Sequence, residues 1–140
     1  MLERARKNKE KSGAENTSFI ESPITKIALP SASVDCIISN CVVNLVPEAE
    51  KQLVFNEMYR LLRPGGRVAI SDILARRELP IEMRGVRGLY VGCVAGASEV
   101  GEYEKYLKDA GFMGMYVGVL YERERVYGLT NLWGSRYPDC

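Results

Sequence analysis

Cys36, Cys41, Cys93 and Cys140 stand in a chain of 140 residues that contains no histidine. Without an imidazole the chain holds no His general base, no Ser-His-Asp triad and no Cys/His zinc site. Thiol chemistry is what remains. No two cysteines form a CxxC pair. The opening stretch MLERARKNKEKSG carries charges where a secretory leader needs an apolar run. Free thiols in a reducing, cytoplasmic setting are therefore expected rather than disulfides. Each cysteine also has a plain reading as a small buried hydrophobe. Context separates them: Cys36 lies inside an apolar strand pattern and is expected to be buried, and Cys140 is expected to be incidental. Cys41 follows a strand end and Cys93 sits in the Gly/Ala-rich run Gly88–Ala97, so these two are the candidate reactive thiols.

The elements that must position them follow from the pattern. Residues 2–12 can form a helix with Gly13 as its stop, and its basic run reads as a solvated face. Thr17–Glu21 has the pattern of a short strand ended by Pro23. The run Val34–Asn40, apolar at Cys36-Ile37-Ile38, suits a strand buried on both faces, as in a parallel sheet. Pro47 opens a helical stretch with Glu48 and Glu50 in its first turn. Val54, Met58, Leu61 and Leu62 then mark one apolar face. Arg63-Pro64-Gly65-Gly66 ends it, and Arg67–Asp72 is the next strand. Strand, helix and strand in this order build a parallel α/β sheet, whose ligands collect at the carboxyl ends of the strands. Those ends are Ser39-Asn40-Cys41 and Ser71-Asp72. Further on, Leu79-Pro80 starts a polar helix to Arg87. Ser98 is placed to cap a helix through Ala110, with Gly111 as its stop. Met115–Tyr121 and Arg125–Thr130 have strand character.

Lys+Arg of 19 against Asp+Glu of 18 leaves a net charge of +1, so no overall field draws in nucleic acid or anionic lipid. No run approaches the roughly 18 apolar residues of a membrane span. Neither nucleic acid nor a membrane is expected as a partner.

SNCVVNLVPEAEK, LLRPGGRVAISDI, ELPIEMRGVRGLYVGCVAGA and YEKYLKDAGF occur here in that order. Together they resemble the arsenite methyltransferases, which use S-adenosylmethionine. PGG before a strand is shared by many methyltransferases, whereas SNCVVNL with a distant GCVAGA is far more specific. The resemblance runs from Leu2 to Phe112. It implies an α/β, partial class I methyltransferase (Rossmann-like) fold lacking its first two strands. Residues 1–112 would be the C-terminal portion of that domain, and 113–140 a divergent tail with one or two strands. In such a sheet the missing strands lie between Phe19 and Ile37, which leaves Ile37-Ile38 as an apolar edge.

The resemblance also assigns Cys41 and Cys93 as thiol ligands of trivalent arsenic. Ile24, Asn40 and Val42 become contacts of S-adenosylmethionine. It implies arsenite or its thiol conjugates as substrate, and glutathione or thioredoxin as reductant. The chemistry is coherent, because As(III) is soft, prefers thiolates and keeps a lone pair that can attack a sulfonium methyl without a base. Two other readings stay open: a non-catalytic arsenic(III)-binding fragment, and a methyltransferase for a small organic substrate.

Overall fold

A computed structural model describes residues 1–77, 94–120 and 127–135. Helix α1 (Leu2–Ser12) ends where Gly13 turns left-handed at φ 65°, and it buries no residue. Its apolar positions are too few to make a stripe. Strand β1 (Val34–Asn40) leads through a 3₁₀ turn (Val43–Leu45) into α2 (Glu48–Leu61), and β2 (Leu62–Ala75) follows directly. Helix α3 (Val100–Ala110) then precedes β3 (Met113–Leu120) and β4 (Tyr127–Ser135).

The sheet order is β1-β2-β4-β3. β1 and β2 are parallel, as a strand–helix–strand crossover requires, while β4 runs antiparallel to both β2 and β3. The strand expected over Arg67–Asp72 extends from Leu62 to Ala75. Between the pairs Val34↔Leu62 and Cys36↔Arg67 the register slips, which absorbs the RPGG turn. Gly65 has φ 80°, and a Cβ on Gly66 would lie 2.8 Å from the Arg63 carbonyl oxygen, so both glycines are sterically required. Residues 113–120 and 127–135 belong to the same sheet as β1, with β4 seated between β2 and β3.

The core lies between the sheet, α2 and α3. It is built from Val54, Phe55 and Met58 of α2, Val68, Ile70 and Leu74 of β2, and Tyr103 and Leu107 of α3. The predicted apolar face Val54, Met58, Leu61 and Leu62 is buried throughout. Phe55 meets Tyr103 edge-on at 5.3 Å between ring centroids and stacks on Tyr106 at 5.5 Å, joining the two helices.

Several expectations are corrected. Thr17–Glu21 forms no strand: no strand among the described residues stands beside it to accept its backbone hydrogen bonds. Among the described residues β1 is an edge strand, as the resemblance implied, but it is not buried on both faces as its apolar pattern suggested: Cys36 is exposed and Ile38 is 81% exposed. Ser98 does not cap α3. Glu99 does, through a capping box in which its side chain accepts from the N3 backbone and Glu102 accepts from Glu99 N–H at 2.9 Å. The helix expected over Leu79–Arg87 lies outside the described residues.

Candidate functional site

The carboxyl end of β1 lies against Ser71 of β2, four residues before that strand ends at Ala75, so the end expected at Ser71-Asp72 falls inside the strand. Cys41 N–H donates to the Ser71 carbonyl at 2.9 Å. Cys41 itself is half-buried and left-handed, with φ 53°. For a residue with a Cβ this conformation is disfavoured and persists only where neighbours impose it. Val42 follows in the right-handed region.

Asp72 of β2 faces this turn. Its carboxylate is completely buried, and it accepts from the Tyr103 hydroxyl at 2.7 Å through Oδ2. Burial pushes the Asp72 carboxyl above its ordinary range. The Tyr103 hydroxyl and the backbone N–H groups of Asn44, Val42 and Cys41 pull it the other way. Asn44, also fully buried, donates from Nδ2 to the Ile73 carbonyl at 2.6 Å and accepts from the Tyr103 hydroxyl at 3.3 Å. The turn after Cys41 is therefore bolted to β2.

A second buried group reaches the segment that follows Cys93. Lys51 of α2 has no exposed surface, and its ammonium donates to Glu48 Oε2 at 2.7 Å, the Gly96 carbonyl at 2.6 Å and Ser98 Oγ at 2.6 Å. Burial raises the Glu48 carboxyl, but hydrogen bonds from Lys51 and Tyr106 outweigh it and hold the group below its usual value. Gly96 touches the Cys41 turn: a Cβ there would stand 2.0 Å from the Asn44 carbonyl oxygen. The small residue of GCVAGA at this position allows the close backbone approach. Cys93 and Cys140 lie outside the described residues.

Along the outer edge of β1 runs a groove of about 400 Å³, lined by Ile24, Ile27, Leu29, Cys36, Asn40, Val42 and Met58 among others. All three residues expected to contact the cofactor, Ile24, Asn40 and Val42, line it. One wall is held by Arg60, which donates to the carbonyls of Ile27 at 3.1 Å and Leu29 at 3.0 Å while paired with Glu57 at 2.7 Å. Ile27 N–H donates to Glu57 Oε1 at 2.6 Å. Arg60 holds the Glu57 carboxyl well below its ordinary range.

Asn44, Lys51, Tyr103 and the role of Asp72 escape a reading of the sequence alone. Lys51 did leave a signal, since it falls on the helical face of Val54, Phe55 and Met58, where an unpaired ammonium would be costly.

A family model described as a methyltransferase domain matches residues 1–111. The chain belongs to the methyltransferase-domain family. The arsenite methyltransferase of Halobacterium salinarum is 46% identical over 112 residues, which are 80% of this chain and 28% of that protein. The arsenite methyltransferase of Aquipseudomonas alcaligenes is 41% identical over 106 residues, 74% of this chain and 30% of that protein. This methyltransferase domain thus spans under a third of the length of those curated relatives. Among solved structures, an arsenic(III) S-adenosylmethionine methyltransferase from Chlamydomonas reinhardtii superposes with a TM-score of 0.68 at 27% identity. The match covers 87% of this chain and 44% of that one. The α/β methyltransferase fold expected from the motifs is the fold observed. Among the described residues no helix is long and apolar enough to cross a membrane.

Proposed function

We propose that this chain serves the transfer of a methyl group from S-adenosylmethionine to trivalent arsenic held by the thiolates of Cys41 and Cys93. The observation that carries the reading is Cys41 itself. It is a left-handed thiol at the carboxyl end of a parallel strand, braced by a buried carboxylate and adjoining a groove. The arsenic chemistry named for the relatives supports the reading.

Each thiol displaces one hydroxyl of arsenite as water, so two As–S bonds replace two As–O bonds with no change of oxidation state. The soft ion favours sulfur over any oxygen ligand nearby. Ile24, Val42 and Asn40 would hold the cofactor: the apolar walls suit a flat heteroaromatic ring, and the Asn40 amide offers the polar contact. When bound, that cofactor supplies an electrophilic sulfonium methyl. The part of the chain is to fix arsenic at an attack angle, through the braced Cys41 turn, and to do so without a proton acceptor. Cytoplasmic residence and a thiol reductant such as glutathione or thioredoxin belong to the same proposal.

The test is incubation of the chain with arsenite, a thiol reductant and S-adenosylmethionine, followed by separation of arsenic species. Methylarsenic products are expected, lost in Cys41→Ser and retained in Cys36→Ser. Cys36 lies five residues back along β1, about 16 Å away at strand rise, too far to share one arsenic with Cys41. A second reading is arsenic binding without methyl transfer. Arsenite that shields Cys41 while no product forms would select that reading over the first.

A further inference from the structure

We propose that Asp72 is a positioning residue for methyl transfer: its buried carboxylate holds the turn at residues 41–44 in the shape that presents Cys41 to arsenic. The inference rests on the reading above that Cys41 holds arsenic, and it involves no other cysteine. The turn is tied to β2 on both sides of Asp72. Cys41 N–H donates to the Ser71 carbonyl at 2.9 Å, and Asn44 Nδ2 donates to the Ile73 carbonyl at 2.6 Å. Both acceptors are backbone atoms that any residue supplies. Between them stands the Asp72 side chain, fully buried and facing the N–H groups of Cys41, Val42 and Asn44.

The two carboxylate oxygens are used differently. Oδ2 accepts from the Tyr103 hydroxyl at 2.7 Å, and the same hydroxyl stands 3.3 Å from Asn44 Oδ1, so α3 grips the carboxylate and the turn together. Oδ1 is buried with no hydrogen-bond partner among the described residues. The negative charge is therefore balanced through space by the N–H dipoles of the turn, and the same attraction draws the turn onto the strand. Stability does not call for a charge here. None of the ion pairs among the described residues includes Asp72, and a buried carboxylate without a cation is costly. An asparagine would fill the same volume and still meet the Tyr103 hydroxyl with its amide oxygen, with no charge to desolvate. Cys41 at φ 53° is the other disfavoured feature of this spot, and a left-handed residue with a Cβ persists only where its surroundings over-determine it. A carboxylate that holds the turn accounts for both.

Asp72→Asn separates positioning from stability, because it removes the charge and keeps the volume. Three measurements on the full chain read the result. The urea midpoint at neutral pH should be at least as high as in wild type. Amide hydrogen exchange, followed residue by residue, should quicken at Val42 and Asn44 and stay unchanged at Phe55 of α2. Methyl transfer from S-adenosylmethionine to arsenite should slow on the order of a hundredfold, the loss that a misplacement of about 1 Å at a reacting centre brings. Tyr103→Phe, which keeps the charge but frees the carboxylate to turn, should slow transfer in the same direction. Asp109→Asn, at an exposed carboxylate of α3, should change none of the three.

An active wild-type chain beside an Asp72→Asn variant of equal activity overturns the positioning role alone. Unchanged exchange at Val42 and Asn44 overturns it as well, whatever the activity does. An Asp72→Asn chain that loses its fold, or loses stability along with activity, assigns the residue to stability and also counts against the inference. A wild-type chain that forms no methylarsenic product brings down the methyl-transfer reading itself, and the inference with it.

Discussion

The Tyr103 hydroxyl donates to Asp72 Oδ2 at 2.7 Å, between two residues with no exposed surface, and so ties α3 to the part of β2 that braces Cys41. Removing the donor leaves a buried carboxylate short of a partner. Tyr103→Phe should destabilise the fold by ~1–3 kcal/mol in urea titrations at neutral pH.

The pH dependence of that loss carries a definite sign. Burial already raises the Asp72 carboxyl above 3.8, and loss of the Tyr103 bond raises it further. A raised native value means the folded state keeps a proton the unfolded chain has released, so stability falls as pH climbs from the unfolded value through the native one. The cost of Tyr103→Phe should therefore be smaller near pH 4 than at about pH 7. An equal cost at both would show that the bond does not distinguish the two forms of Asp72.

Glu57 gives the opposite sign. Arg60 holds its carboxyl below 4.5, so its contribution is fully present above that value and disappears as pH falls through the lower native one. Glu57→Gln should be less stable than wild type at neutral pH and should converge with it in acid. Because the Glu57–Arg60 pair also carries the Ile27–Leu29 wall of the groove, limited proteolysis should find new cleavage there. Parallel acid-unfolding curves for the two proteins would refute the assignment.

The free edge of β1 predicts association. Ile38 is 81% exposed on a strand whose outer backbone groups have no partner strand among the described residues, a template for pairing with another chain. Ile38→Lys should leave stability within about 0.5 kcal/mol and lower the self-association seen by sedimentation at high concentration. Unchanged association would place the sticky surface elsewhere.

The sequence by itself determined the strand–helix–strand order, the apolar face of α2, the glycine stops at 13 and 111 and the placement of Cys41 just past a strand end. These are local properties: periodicity, capping chemistry and the forbidden backbone regions act over a few residues. The motifs also carried the family, because SNCVVNL and GCVAGA keep their order and spacing along the chain.

Only the tertiary structure decided the rest. The apolar pattern of Cys36-Ile37-Ile38 read as a strand buried on both faces, yet burial depends on what packs alongside, and among the described residues β1 has a neighbour on one side only, the edge that the resemblance implied. Ser98 read as a helix cap, but its hydroxyl is taken by Lys51 from a helix 47 residues earlier, and the cap passes to Glu99. The brace under Cys41 joins residues 41–44, 72 and 103, and the Asn44–Gly96 contact spans 52 positions. Such pairings leave no periodic trace. A carboxylate within a strand or a lysine on an apolar face becomes intelligible only when folding supplies the partner that makes its burial tolerable.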